Sequence, residues 1–157
     1  ETICSLFCIR SVVSVPTLDA LAWNSIGMEG LICPIMDARR DQVYTSLYRR
    51  EGEGCIRLMP YSALPISQLA EQLAAFRQPV LFLGDGLNAY REKLTELLKG
   101  FAFFAPAYLA CQRASVIAWL GRRQALAGNS IHYRDLTPFY LRQSQAEQKR
   151  KQQTEKL

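Results

Sequence analysis

The apolar and polar positions of this chain divide it into short strands and one-sided helices. Leu31 to Met36 and Val43 to Tyr48 are runs rich in β-branched and aromatic residues, and between them lies a polar tip, Asp37-Ala38-Arg39-Arg40-Asp41-Gln42. Such a pair predicts a β-hairpin with two arginines set between two aspartates. A third short run, Cys55 to Met59, follows. Pro65 then opens a helical pattern with Ile66, Leu69, Ala70 and Leu73 on one face. After Pro79, the continuous apolar run Val80 to Leu83 suits a strand buried on both faces. Gly84-Asp85-Gly86 leads from it into a helix with Leu87, Tyr90, Leu94, Leu97 and Leu98 on one side, closed by Gly100. Phe101 to Phe104 reads as a strand, and Ser115 to Ala127 as a helix ending at Gly128.

The predicted order is β-β-β-α-β-α-β-α. Three antiparallel strands followed by αβ crossovers in a mixed sheet is the layout of the ribonuclease H-like α/β fold, which also forms each lobe of the actin-like ATPases. We expect residues 12–142 to form a single lobe of this kind, residues 1–11 an atypical N-terminal remnant, and residues 143–157 a basic, disordered tail.

Composition changes this picture little. The chain's 157 residues, 49% of them hydrophobic, suffice for one core of ordinary size. No apolar stretch approaches the roughly 20 residues of a bilayer-spanning helix, and the opening ETICSLFCIR lacks the basic start of a secretory signal. The expectation is a cytoplasmic protein with no membrane partner. Cys4, Cys8, Cys33, Cys55 and Cys111 form an odd set without a Cys-x-x-Cys pair, and His132 is the sole histidine, which argues against a zinc site or a disulfide framework. The net charge of +5 is concentrated in part between Arg142 and Lys156, a stretch with too little apolar content to order itself. It is a solubilising end, or a salt-sensitive handle on RNA phosphates.

Two chemistries compete on this fold. A ribonuclease H-type nuclease would need carboxylates converging on divalent metals. Asp37, Glu71 and Asp85 fall on suitable elements, yet Glu71 lies two residues past Leu69 and so points about 200° around the helix, away from the buried face. An actin-like phosphohydrolase would cradle phosphate in a Gly-rich turn, whereas the turn here, Asp37-Ala38-Arg39-Arg40, has no glycine. The weak candidates for ATP binding are Gly84, Asp85 and Gly86, where a glycine pair permits close approach of a ligand. Asp85, however, reads as a helix cap whose charge would repel phosphate. No cofactor and no metal is therefore expected.

The runs VVSVPTLDALAWN, ICPIMDARRDQVYTSLY, VLFLGDG and LTPFYLRQSQAE, in that order from about Val12 to Glu147, resemble the TsaB (YeaZ) family of tRNA threonylcarbamoyladenosine biosynthesis. The hairpin together with the closing P-x-YLR segment carries the likeness; GDG alone would be worth little. The resemblance implies an actin-like protein that acts as a non-catalytic scaffold and activator. Its implied partners are TsaD, which transfers threonylcarbamoyl to the adenosine beside the anticodon, and TsaE, with tRNA reached through the complex. Asp37, Arg39 and Arg40 match the family's hairpin and are the candidates for partner or RNA contact. Their bland alternative is a salt-bridged surface turn contributing well under about 1 kcal/mol.

The family also implies a first lobe, with an early Asp-Thr-Ser type strand and a GPGSFTGLRIG-like segment, that this sequence lacks. A truncated or frameshifted product is the expectation, with Leu6, Phe7, Leu18 and Leu21 partly uncovered and a homodimer forming as a result. Trp23 and Trp119 read as core or interlobe packing. Tyr44 and Tyr48 read as packing on one strand face, and His132 as a loop residue. Thr137-Pro138 reads as the entry to an apolar anchor formed by the final segment.

Overall fold

The computed structural model describes residues 10–25 and 28–141. The expected remnant, including Leu6 and Phe7, and the tail from Arg142 onward fall outside the described residues, apart from residues 10 and 11. The elements are β1 (Ser11–Val12), α1 (Thr17–Trp23), β2 (Gly30–Asp37), β3 (Gln42–Thr45), β4 (Tyr48–Glu51), β5 (Gly54–Arg57), β6 (Ser62–Pro65), α2 (Ile66–Ala74), β7 (Val80–Leu83), α3 (Leu87–Leu98), β8 (Ala102–Phe104), α4 (Ala107–Ala110), α5 (Ala114–Leu126) and β9 (Ile131–His132). A single 3-10 turn follows at Tyr133–Asp135.

The three expected antiparallel strands are present, but the second and third are each broken in two. Ile35 faces Thr45 on β3 and Ile32 faces Tyr48 on β4, so the same register holds on both sides of the gap. Pro34 explains the break. It has no N–H to give to a central ladder, and its carbonyl accepts instead from the Thr45 hydroxyl at 2.9 Å. The freed Leu47 carbonyl turns to the next strand, where Leu58 N donates to it at 2.7 Å. That strand is interrupted there in turn: β5 pairs with β4, and β6 pairs with β3. Pro65, expected to open the helix, does so at its N-cap and also ends the strand Ser62–Pro65, which was not foreseen.

On its other edge β2 runs parallel to β7, and β7 parallel to β8, giving the mixed sheet of the ribonuclease H-like, actin-like fold. Strand β2 is covered on both faces. Its odd positions Leu31, Cys33 and Ile35 join Leu69, Leu73, Phe82 and Leu94 under α2 and α3, while Ile32 joins Leu21, Ala22, Tyr48 and Leu81 under α1. Helix α1 was not anticipated as an element. Because it seats its apolar side on the sheet, Leu18 and Leu21 are buried rather than uncovered, which corrects the expectation of an exposed face there. His132 is likewise not a loop residue, since it pairs with Ser11 across the short β1–β9 ladder.

Candidate functional site

The hairpin tip is built without glycine, and the backbone shows the effect. Arg39, Arg40 and Asp41 all have positive φ, at 64°, 56° and 59°, a left-handed stretch that costs an L-residue about 1–2 kcal/mol per position. Side chains and neighbouring elements hold it in place. Asp37 Oδ1 accepts from the Arg39 N–H at 2.8 Å, Ala38 N donates to the Gln42 carbonyl at 3.0 Å, and Ile66 N at the start of α2 donates to the Asp41 carbonyl at 3.1 Å. Lys93 on α3 meets the Asp41 carboxylate at 2.6 Å. The anticipated pairing of aspartate with arginine inside the turn is therefore realised for Asp37 and Arg39, at 3.8 Å, whereas Asp41 turns to Lys93. Arg39 and Arg40 project into solvent.

Beside the tip lies Gly84-Asp85-Gly86. Asp85 does not cap α3: the cap position is Gly86, without a side-chain hydrogen bond. Instead Asp85 Oδ1 accepts from the backbone N–H of Asp37 at 3.3 Å, which ties the end of β7 to the base of the hairpin. The glycines serve the sheet. Gly84 has φ +110° and a Cβ there would sit 2.0 Å from the Ile35 carbonyl oxygen; at Gly86 it would sit 3.1 Å away, and the Gly86 N–H donates to that same oxygen at 3.2 Å. The space that a glycine pair leaves is occupied by the chain itself. Tyr90 completes the cluster, its hydroxyl 3.5 Å from Asp37 Oδ1, and burial followed by the charges of Asp37 and Asp41 raises its pKa.

Of the carboxylates weighed for metal binding, Asp85 is engaged by the backbone N–H of Asp37, not by its carboxylate, and Glu71 is exposed on α2. Among the described residues no cluster of three His, Cys, Asp or Glu side chains could hold a metal ion.

Sequence reading missed a second cluster. Asp19, on α1, accepts hydroxyls from Tyr48 at 2.5 Å and Tyr61 at 2.7 Å, with Arg57 at 4.0 Å. Burial first, then the bond to the Asp19 carboxylate, pushes both tyrosines well above the usual phenol range. Tyr48 thus does more than pack. Tyr44 and Tyr61 line a cleft of about 720 Å³ that also includes Phe139 and Tyr140. In that closing segment Phe139 makes an edge contact with Tyr61, yet Phe139 and Tyr140 stay largely exposed, so it is a loose anchor.

From residue 6 to residue 150 the chain matches the family described as TsaD: tRNA N6-adenosine threonylcarbamoyltransferase. It belongs to that family. Its likeness to TsaB is direct: the tRNA threonylcarbamoyladenosine biosynthesis protein TsaB of Bacillus subtilis (strain 168) is 34% identical over 138 residues, which is 88% of this chain and 58% of that protein. Two solved structures share the fold. A Pseudomonas aeruginosa protein described as uncharacterized, with similarity to peptidase YEAZ, superimposes with a TM-score of 0.71 at 20% identity over 90% of this chain and 63% of the other. YeaZ from the same organism gives 0.68 at 20% identity over 89% and 63%. The chain spans about 58% of the length of the TsaB relative. The resemblance to TsaB (YeaZ) and the actin-like fold expected from the hairpin and the order of elements are both met. No helix among the described residues is long and apolar enough to cross a membrane.

Proposed function

We propose that this chain is a non-catalytic subunit in tRNA threonylcarbamoyladenosine biosynthesis, a scaffold and activator that pairs with TsaD and, through it, with TsaE and tRNA. The observation that carries the reading is the Ile35 carbonyl set against Gly84 and Gly86. In an actin-like enzyme a glycine pair at a strand end makes room for a nucleotide; here the same glycines make room for β2, and an acid stands between them. The hairpin turn points the same way, since its backbone is engaged by Asp37, Gln42 and α2 and its surface is arginine. Such a tip offers cationic side chains to a partner or to RNA phosphates rather than a backbone cradle to a bound nucleotide.

The test is reconstitution. This chain is mixed with TsaD, TsaE, threonylcarbamoyl-adenylate and tRNA, and modified adenosine is quantified by mass spectrometry of the digested tRNA. Co-elution with TsaD in size-exclusion chromatography, modification that depends on the chain, and no ATP turnover by the chain alone are the expected results. ATP hydrolysis by the purified chain that disappears in Asp85→Ala would overturn the reading. So would a homodimer that TsaD cannot displace.

A further inference from the structure

On the α1 face of the sheet, away from the hairpin tip, Trp23, Arg50, Glu53, Gly54, Ser115 and Trp119, with Arg123, surround an open cleft of about 1040 Å³. We propose that this cleft is a binding site for a phosphate group, an inference that does not rest on the scaffold reading. Arg50, on β4, is only 9% exposed, and its Nε and Nη1 have no hydrogen-bond partner among the described residues. A buried guanidinium without a counter-charge is costly, and its usual resolution is an anion. Glu53 lines the same cleft, yet no ion pair within 4 Å joins it to either arginine. Arg123 supplies a second guanidinium from α5.

The tryptophans hold these cations in place. Trp23 and Trp119 have ring centroids 4.9 Å apart. The Arg123 guanidinium lies 5.3 Å from the Trp23 ring and 4.8 Å from the Trp119 ring, and Arg50 lies 5.0 Å from Trp23. Stacking of this kind occupies the flat face of a guanidinium and leaves its N–H edge for an oxygen acceptor. The third contribution is the N-terminus of α5, a helix of 13 residues whose Ser115 and Val116 line the cleft. No side chain caps it, and its first intrahelical donors are Val116 and Ile117, which leaves the preceding N–H groups to meet an anion. Two guanidiniums and a helix end approaching from separate elements suit the several oxygens of a phosphate better than the two of a carboxylate. The phosphate belongs either to a small molecule or to an RNA backbone.

The chain has two tryptophans in all, and both stand in this cleft, so tryptophan emission, excited selectively over tyrosine, reports on the site. The experiment titrates the purified chain, at fixed ionic strength, with inorganic phosphate, with AMP and with a short single-stranded oligoribonucleotide, using acetate as the control. The expected result is a saturable change in tryptophan emission with at least one phosphate probe, weakened at least tenfold in Arg123→Gln. Because Arg123 is exposed, that variant should keep the wild-type far-ultraviolet circular dichroism and melting profile; Arg50→Met is the companion variant. Saturation by inorganic phosphate or AMP identifies a small-molecule site, and saturation by the oligoribonucleotide alone identifies a backbone site. Acetate binding as tightly as phosphate, no saturation with any probe, or undiminished binding in a folded Arg123→Gln would overturn the proposal.

Discussion

The carbonyl oxygen of Ile35 stands 2.0 Å from the place where a side chain on Gly84 would begin. Backbone cannot swing aside as a flexible side chain can, and Gly84 also holds φ +110°. Gly84→Ala should therefore destabilise the chain by about 3 kcal/mol or more in urea denaturation, combining strain with displacement of β2. Gly128→Ala is the control: φ is +79° there but nothing lies within 4 Å, so only the backbone strain of about 1 kcal/mol is expected. Equal losses at the two sites would show that the Ile35 contact carries nothing.

The tip of the hairpin yields the opposite prediction for stability. Arg39→Gly and Arg40→Gly each relieve a left-handed conformation, partly offset by the greater freedom of glycine when unfolded. Stability should hold or rise by about 1 kcal/mol, measured by thermal melting. On the proposed scaffold role, co-elution with TsaD, or the salt sensitivity of tRNA binding in a reconstituted complex, should weaken in the double variant. A stabilised double variant that still assembles as well as the parent would leave the tip as a mere turn.

Asp19 gathers two phenols, so its loss should be felt in the fold. Asp19→Ala leaves the buried Tyr48 hydroxyl without its acceptor and should lower unfolding free energy by about 2 kcal/mol, while Tyr61→Phe should lower it by about 1 kcal/mol. In a double-mutant cycle the two changes should be less than additive, because they remove one shared interaction.

Alkaline pH should weaken the fold in two stages. Burial raises the Cys33 thiol from 9.0 to about 12, against a smaller opposing effect of the Thr45 hydrogen bond. The folded chain thus holds this proton more tightly than the unfolded chain, so stability is intact below pH 9 and declines as pH rises from 9 toward 12. Tyr48 and Tyr61 act in the same sense from about pH 10 upward, their folded values being raised from 10.0. Denaturation in urea at pH 8, 9, 10 and 10.5 should show this fall, and Cys33→Ala should flatten its first part. A curve unaffected by that substitution would place the loss elsewhere.

What could be foreseen from the sequence was whatever depends on near neighbours. Val80 to Leu83 is buried throughout, as a continuous apolar run demands, and Ile66, Leu69, Ala70 and Leu73 form the buried face of α2 as their spacing requires. Helix α1 was missed because its seven residues give too few turns for a period to stand out, although Pro16 at its start and Leu18, Leu21 and Ala22 were available signals. The broken strands were missed for a related reason, since Pro34 acts on the ladder across from it and not on its own run. The site residues posed a harder problem. Asp19 meets Tyr48 and Tyr61 over separations of 29 and 42 residues, and the contact of Trp23 with Trp119 is longer still, so only the assembled sheet brings them together. Sequence order assigns Asp85 to the helix that follows it; space gives it to Asp37 instead.

Strand β2 has neighbours on both edges, β3 and β4 on one side and β7 on the other, and among the described residues no other strand pairing joins the two wings of the main sheet. The antiparallel wing can form from residues close in sequence, whereas the parallel wing must wait for a crossover through α2. Residues 31–35 are consequently the hinge pin of the whole assembly: the amides that exchange last with deuterated solvent should lie there, and a partner that grips the hairpin pulls on the one strand through which a disturbance can pass from one wing to the other.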